Sequence, residues 1–154
     1  MGVEIERKFL VAGDGWRAVA NGPGVPIRQG YLSAPHGAAV VRVRLAGPRG
    51  FLTIKGPGGL VRAEFEYEVP AEDAAAMMAL CLAPPLAKTR WPVPHRGHLW
   101  TVDVFGQPDR LAGLVLAEVE MDSAGATPPL PDWLGAEVTD DPRYANAALA
   151  LANP

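Results

Sequence analysis

Residues 3–11, VEIERKFLV, alternate with the period of a β-strand, with Glu4, Glu6 and Lys8 on one face and Val3, Ile5 and Phe9 on the other. The same alternation returns along the chain. VVRVRLA puts Arg42 and Arg44 on one face, FLTIKG puts Thr53 and Lys55 there, and AEFEYEV puts Glu64, Glu66 and Glu68 there. AKTRW adds Lys88 and Arg90, TVDVFG adds Asp103, and LAEVEM adds Glu118 and Glu120. The alternate faces carry Val41, Val43, Leu52, Ile54, Phe65, Tyr67, Val102, Val104, Val115, Ala117, Val119 and Met121. A solvated sheet surface usually intersperses its signs. Here the signs come in like pairs, and residues two apart on a strand lie roughly 7 Å from each other. Such pairs repel unless something of opposite charge sits between them. The other face is apolar and must itself be covered. A sheet closed into a barrel, charges inward and apolar groups outward against helices, satisfies both demands. Eight strands make a barrel of about the size that encloses one small ligand.

Turn residues support a β-rich chain: 17 glycines and 16 prolines among 154 residues suit many short connections. Strands are predicted near residues 3–11, 26–33, 39–46, 50–56, 61–69, 87–94, 98–106 and 114–121, each bounded by Gly or Pro. PAEDAAAMMALCLA, residues 70–83, predicts a helix with Glu72 and Asp73 at its dipole-favoured start and Pro84-Pro85 as its stop. DGWRAVA predicts a short helical turn. DDPRYANAALALA predicts a second helix, capped by Asp140 or Asp141 with Pro142 in its first turn. GATPPLPDW reads as a proline-rich loop. The fold class is therefore mainly β with peripheral helices: an eight-stranded antiparallel closed barrel forming a polar tunnel, in one domain over residues 1–154.

A net charge of −3 gives no basic footprint for nucleic acid. The lone Cys81, within AMMALCLA, reads as a small buried hydrophobe and allows no internal disulfide. With no apolar run near the ~20 residues of a membrane helix and acids near the N-terminus, the expectation is a cytoplasmic protein that contacts no membrane.

The inward faces would gather Lys8, Arg42, Arg44, Lys55, Lys88 and Arg90 against Glu4, Glu6, Glu66, Asp103, Glu118 and Glu120. Enclosing that many ions is costly unless each is paired or bound to a ligand. The bases ask for a polyanion and the acids for divalent cations. Carboxylate oxygens without clustered His or Cys select a hard ion, Mg²⁺ or Mn²⁺. The polyanion natural to such an ion is a chain of phosphates.

EIERKFLV resembles the ExExK signature of the CYTH superfamily, the triphosphate tunnel metalloenzymes. GYLS, VRVR, TIKG, EFEYEV, KTR, VDVF, LAEVEM and the tail WLGAEVTDDPRYANAALA resemble the short bacterial members in the same order. The resemblance implies an eight-stranded tunnel that binds triphosphate and divalent metal and hydrolyses the terminal phosphoanhydride. It implies that Lys8, Arg42, Arg44, Lys55, Lys88 and Arg90 clamp phosphates, with Arg143 in place of a lysine that longer relatives carry near the C-terminus. It implies Glu4, Glu6, Glu66, Asp103, Glu118 and Glu120 as metal positions, Tyr31 and Lys88 as catalytic groups, and a C-terminal helix that closes one tunnel end. The expected partner is a triphosphate-containing small molecule, with a homodimer left open. The alternatives are an adenylate cyclase, a nucleoside or thiamine triphosphatase, and a non-catalytic polyphosphate-binding module.

The remaining residues read more plainly. His36, His95 and His98 are turn spacers, Trp91 and Trp100 are outer-face core, and Trp16 and Trp133 either pack helices or rim the tunnel. Glu64 and Glu68 share the parity of Glu66 and are expected at the tunnel mouths. Gly56-Pro57-Gly58-Gly59 reads as a hairpin turn, since no Lys-Ser/Thr and helix follow it. Glu118 and Glu120 are expected to behave alike: Gln at either should leave the metal-free protein folded.

Overall fold

A computed structural model describes residues 2–33 and 39–151; His36 falls outside them. Nine strands form: β1 (Val3–Val11), β2 (Val25–Tyr31), β3 (Val40–Ala46), β4 (Arg49–Lys55), β5 (Val61–Val69), β6 (Leu86–His95), β7 (His98–Gln107), β8 (Val115–Glu120) and β9 (Leu134–Glu137). Two short helices accompany them, α1 (Ala71–Met77) and α2 (Asn146–Leu151). Eight strands run antiparallel in the order β5-β4-β3-β2-β6-β7-β8-β1, and β1 returns to β5 through Val3↔Ala63, Glu4↔Arg62 and Ile5↔Val61. That pairing closes the barrel. One edge of β1 lies along β8; the other is divided between β5 and β9, which it meets at Phe9↔Glu137 and Val11↔Leu134. None of the described helices is long and apolar enough to cross a membrane.

The turns follow from local chemistry. β6 and β7 join through Arg96 and Gly97, both at positive φ (46° and 82°), the geometry whose twist suits a two-residue hairpin. His95 and His98 face each other across this turn, in keeping with their reading as spacers.

Outward apolar residues collect in two clusters. Phe9, Val93, Trp100, Val102, Ala117 and Val119 pack under Trp16 and Trp133, with Trp91 against them. Trp16 and Trp133 thus belong to the outer core and not to the tunnel rim. Their cover is the 3₁₀ turn at Gly15–Ala18 and the loop ending at Trp133, and not a helix. The second cluster seats α1 on β3 and β4 through Val43, Ala74 and Met78, with half-buried Cys81 packed alongside. Over β4 and β5 the described residues supply no such cover: Ile54, Phe65 and Tyr67 are exposed, the last at 59%.

A third cluster is inside. Tyr31, Leu86, Phe105, Leu111 and Leu116 meet Val138, Leu149 and Ala150, so α2 seals one end of the barrel with apolar side chains. The expected closing helix is there, and the interior is polar only beyond it.

Both helices differ in extent from the sequence reading. α1 stops at Met77 and tightens into a 3₁₀ turn at Met78–Leu80. Leu80 and Leu82 are exposed at 71% and 56%, so no apolar stripe holds a further turn. The second helix breaks at Ala145, whose backbone is extended (ψ 136°), and at the break Lys8 Nζ donates to the Tyr144 carbonyl at 3.0 Å. β9 was not expected; it is four residues long and includes Gly135, whose missing side chain lets it approach the Leu10 backbone.

Gly50 supplies a direct test of how α1 seats. A Cβ there would lie 2.8 Å from Ala74 Cβ, 3.0 Å from the Val69 carbonyl oxygen and 3.2 Å from Ala71 Cα. Gly50→Ala should therefore destabilise the protein by about 1–3 kcal/mol, read by urea unfolding. Gly13→Ala, with nothing within 4 Å of its added Cβ, should be close to neutral.

Candidate active site

The polar part of the barrel encloses a cavity of about 780 Å³. Its wall carries Glu4, Glu6 and Lys8 from β1, Tyr31 from β2, Arg42 and Arg44 from β3, and Lys55 from β4. Glu64 and Glu66 come from β5, Arg90 from β6, and Glu118 and Glu120 from β8. The Gly56–Gly59 turn and residues 138–142 and 145–148 also line it, so the glycine turn borders the site without being a phosphate loop. Lys88 and Asp103 are buried beside the cavity and are not among the lining residues. Arg143 is away from it. Its side chain is 79% exposed and clasped by the Asp141 carboxylate at 2.7 Å, so it does not join the bases expected to grip substrate. Asp141 captures it locally, two residues away, as the turn at Pro142–Tyr144 begins.

Strand register decides which charges meet. Lys8 faces Glu118, Arg90 faces Asp103, and Lys55 faces Glu64, each an opposite-sign cross-strand pair. Glu6 faces Glu120, a like-sign pair. With Glu4, these two offer one carboxylate oxygen each within 4.8 Å of the others. The cluster shows in their titration. Glu6 is held well above the usual carboxylate range, by burial first and then by the charges of Glu118 and Glu4 and a hydrogen bond to Glu118. Glu120 is raised by burial and by Glu4, Glu64 and Glu118.

Glu118 behaves oppositely. Burial opposes its charge, but Lys8, Arg90, the Glu6 hydrogen bond and Lys88 outweigh that and pull it well below the usual range. Lys8 Nζ lies 3.8 Å away.

Asp103 anchors the basic side. Arg90 grips it in bidentate fashion at 2.7 and 2.8 Å, and Lys88 Nζ reaches it at 2.7 Å. Both oxygens are engaged by bases, and Asp103 does not join the acidic trio. Glu66 likewise stands apart from the acidic trio, accepting from Thr53 Oγ1 at 2.9 Å with Arg42 at 3.5 Å. Lys88 is fully buried and also donates to Asn146 Oδ1 at the start of α2, at 3.1 Å. Burial pushes its ammonium down to about 7, with Asp103 opposing and Arg90 and Arg44 reinforcing the shift. Glu64 pairs with Lys55 at 3.2 Å, and the exposed Glu68 with Arg49 at 2.7 Å.

Sequence reasoning missed Gln29 and Asn146, and noted Thr53 without a role. Gln29 shares the parity of Tyr31, so a polar residue on an inward face was its available signal. Asn146 had none, because its partner lies 58 residues earlier.

Comparison with known proteins agrees with this geometry. The CYTH domain model matches residues 2–146. An inorganic triphosphatase of Acetivibrio thermocellus is 43% identical over 157 aligned positions, covering 100% of this chain and 96% of that one. An inorganic triphosphatase of Nitrosomonas europaea is 40% identical, covering 98% and 99%. The crystal structure of the inorganic triphosphatase NE1496 superposes with a TM-score of 0.69 at 38% identity, covering 100% of this chain and 98% of that one.

The two β8 carboxylates should respond differently to neutralisation. Glu120 has a raised folded pKa, so its charge lowers stability as pH climbs from the unfolded value through the folded one. Glu120→Gln should raise metal-free stability at neutral pH by up to about 1 kcal/mol, an advantage that fades in acid. Glu118 has a depressed pKa, so its stabilisation is present at neutral pH and lost as pH falls through the folded value. Glu118→Gln should cost about 3 kcal/mol by stranding buried bases. Thermal unfolding in chelator at two pH values separates them; equal behaviour of the two variants would contradict the assignment.

Proposed function

The chain belongs to the CYTH family, and from that membership we propose that it is a divalent-metal-dependent hydrolase. Its preferred substrate on this reading is inorganic tripolyphosphate, cleaved to pyrophosphate and phosphate. The observation that carries the reading is the enclosed juxtaposition of a like-charged acidic trio with fixed bases in a cavity of about 780 Å³. The trio fits a hard divalent cation, because three oxygen donors converge and the carboxyl groups are destabilised by one another without one. Glu4, Glu6 and Glu120 would hold Mg²⁺ or Mn²⁺, and Glu118 stands beside them. Bound there, the metal supplies charge neutralisation for phosphate oxygens.

The chain's own groups then divide the work. Phosphoryl transfer depends on charge neutralisation and in-line positioning more than on covalent chemistry. Arg42, Arg44, Lys55, Arg90 and Lys8 bind the non-reacting phosphates, the guanidiniums in bidentate fashion where geometry allows. Water attacks the terminal phosphorus as the bridging bond opposite it breaks, with pyrophosphate as leaving group. Tyr31 lines the cavity and is 4% exposed, which supports its orienting that water. Lys88, close to neutrality in its buried site, supports proton handling nearby.

A phosphate-release panel over tripolyphosphate, pyrophosphate, ATP and thiamine triphosphate, with cyclic AMP followed in parallel, tests the reading. Tripolyphosphate with Mg²⁺ or Mn²⁺ should be cleaved fastest, and chelator should abolish turnover. Pyrophosphate cleaved as fast would indicate a shorter clamp, and cyclic AMP formation would favour a cyclase. Tyr31→Phe should lower kcat at least about tenfold with KM changed little; unchanged kcat would reduce Tyr31 to packing.

A further inference from the structure

Of the six bases expected inward, five end on a carboxylate: Lys8 on Glu118, Arg42 on Glu66, Lys55 on Glu4 and Glu64, and Lys88 and Arg90 on Asp103; Arg62, which also lines the cavity, donates instead to the Gly56 carbonyl at 3.1 Å. Arg44 has no such partner among the described residues. Its cross-strand neighbours are Gln29 and Phe51, and its Nε donates to Gln29 Oε1 at 2.7 Å. Gln29 is wholly buried, at 0% exposure, and its amide nitrogen has no acceptor among the described residues. The amide orientation is fixed by chemistry, because turning it over would oppose two N–H donors.

We propose that Gln29 is a positioning residue that fixes the Arg44 guanidinium for a substrate phosphate while leaving its positive charge uncancelled. The residue type suits that task. A carboxylate at this position would hold Arg44 as firmly but would neutralise it. A methionine or leucine would leave the charge but release the Nε edge, and the guanidinium would lose its fixed fork. A buried amide nitrogen without an acceptor is destabilising, so packing alone favours an apolar residue of the same size. Arg44 lines the cavity, and Arg42 and Arg90 stand close enough to repel it. A polyanion relieves that repulsion, and Arg44, unlike the five bases above, makes no ion pair among the described residues. The inference rests on the triphosphatase reading only for the identity of the anion.

The test measures tripolyphosphate binding to the metal-free protein by calorimetry, and hydrolysis with Mg²⁺ separately, for wild type, Gln29→Glu, Gln29→Met, Arg44→Met and the Gln29→Met/Arg44→Met double variant. Gln29→Glu should weaken binding about tenfold or more and raise KM with a smaller change in kcat, although it adds an ion pair and keeps the metal-free protein folded. Gln29→Met should weaken binding too, because the Arg44 Nε loses its acceptor. In the Arg44→Met background the Gln29→Met change should have no further effect on binding, because its effect runs through Arg44. Wild-type affinity in Gln29→Glu, or an undiminished effect of Gln29→Met when Arg44 is already gone, would overturn the proposal. Should one single variant fail to fold, the other decides by the same criterion. Wild type that binds tripolyphosphate without cleaving it would sink the hydrolase reading and leave the Gln29 comparison decisive. Wild type that does not bind it would sink both.

Discussion

Three residue pairs between β1 and β5 turn a one-sided sheet into a tube, and the chemistry of the interior depends on that seam. Were it open, Glu4, Lys55 and Glu64 would lie at a wet edge, where ion pairs contribute about 0–1 kcal/mol and titrate normally. Inside the closed tube the same groups sit at reduced dielectric and feel one another strongly. β1 is therefore the most constrained strand: β8 takes one edge, and β5 and β9 share the other. It also carries the ExExK residues, so the strand that closes the tube contributes two of its acids and one of its bases.

Register then divides the enclosed charge into settled and unsettled parts. Lys8 with Glu118, Lys55 with Glu64, and Arg90 with Asp103 are compensated by folding itself. Glu6 opposite Glu120 is not, and neither is Arg44 beside Gln29. The fold thus keeps a local excess of negative charge in one region and an unneutralised cation in another. A metal bound to a polyanion carries both complementary charges in one ligand. Binding strength and folding stability are set against each other in such a site, since neutralising an acid in the trio should relieve the empty protein.

Much of this was legible in the sequence because the governing signal is local. Period-two alternation located β1 to β8 within one or two residues, and like-signed pairs on single strands pointed to an interior instead of a wet surface. Glu4, Glu6 and Glu120 could be named because they share that parity. What the sequence did not carry is partnership across distance. Asp103 is an acid like the others, and only the register shows both its oxygens engaged by Lys88 and Arg90. At the break before α2 the Tyr144 carbonyl accepts from Lys8, 136 residues earlier. Arg143 was expected inside by analogy, yet Asp141 two residues away holds it outside. Alternation showed that Phe65 and Tyr67 face outward, but not that they would go uncovered.

The apolar packing of α2 against Leu86, Phe105 and Leu116 makes the barrel a blind vessel and not a conduit. Among the described residues the end under α2 offers no passage, so entry and exit fall to the opposite end. A long polymer cannot be threaded through such a chamber and shortened as it passes. It can only be offered end first, with the remainder trailing in solvent, which favours short chains that fit entirely within.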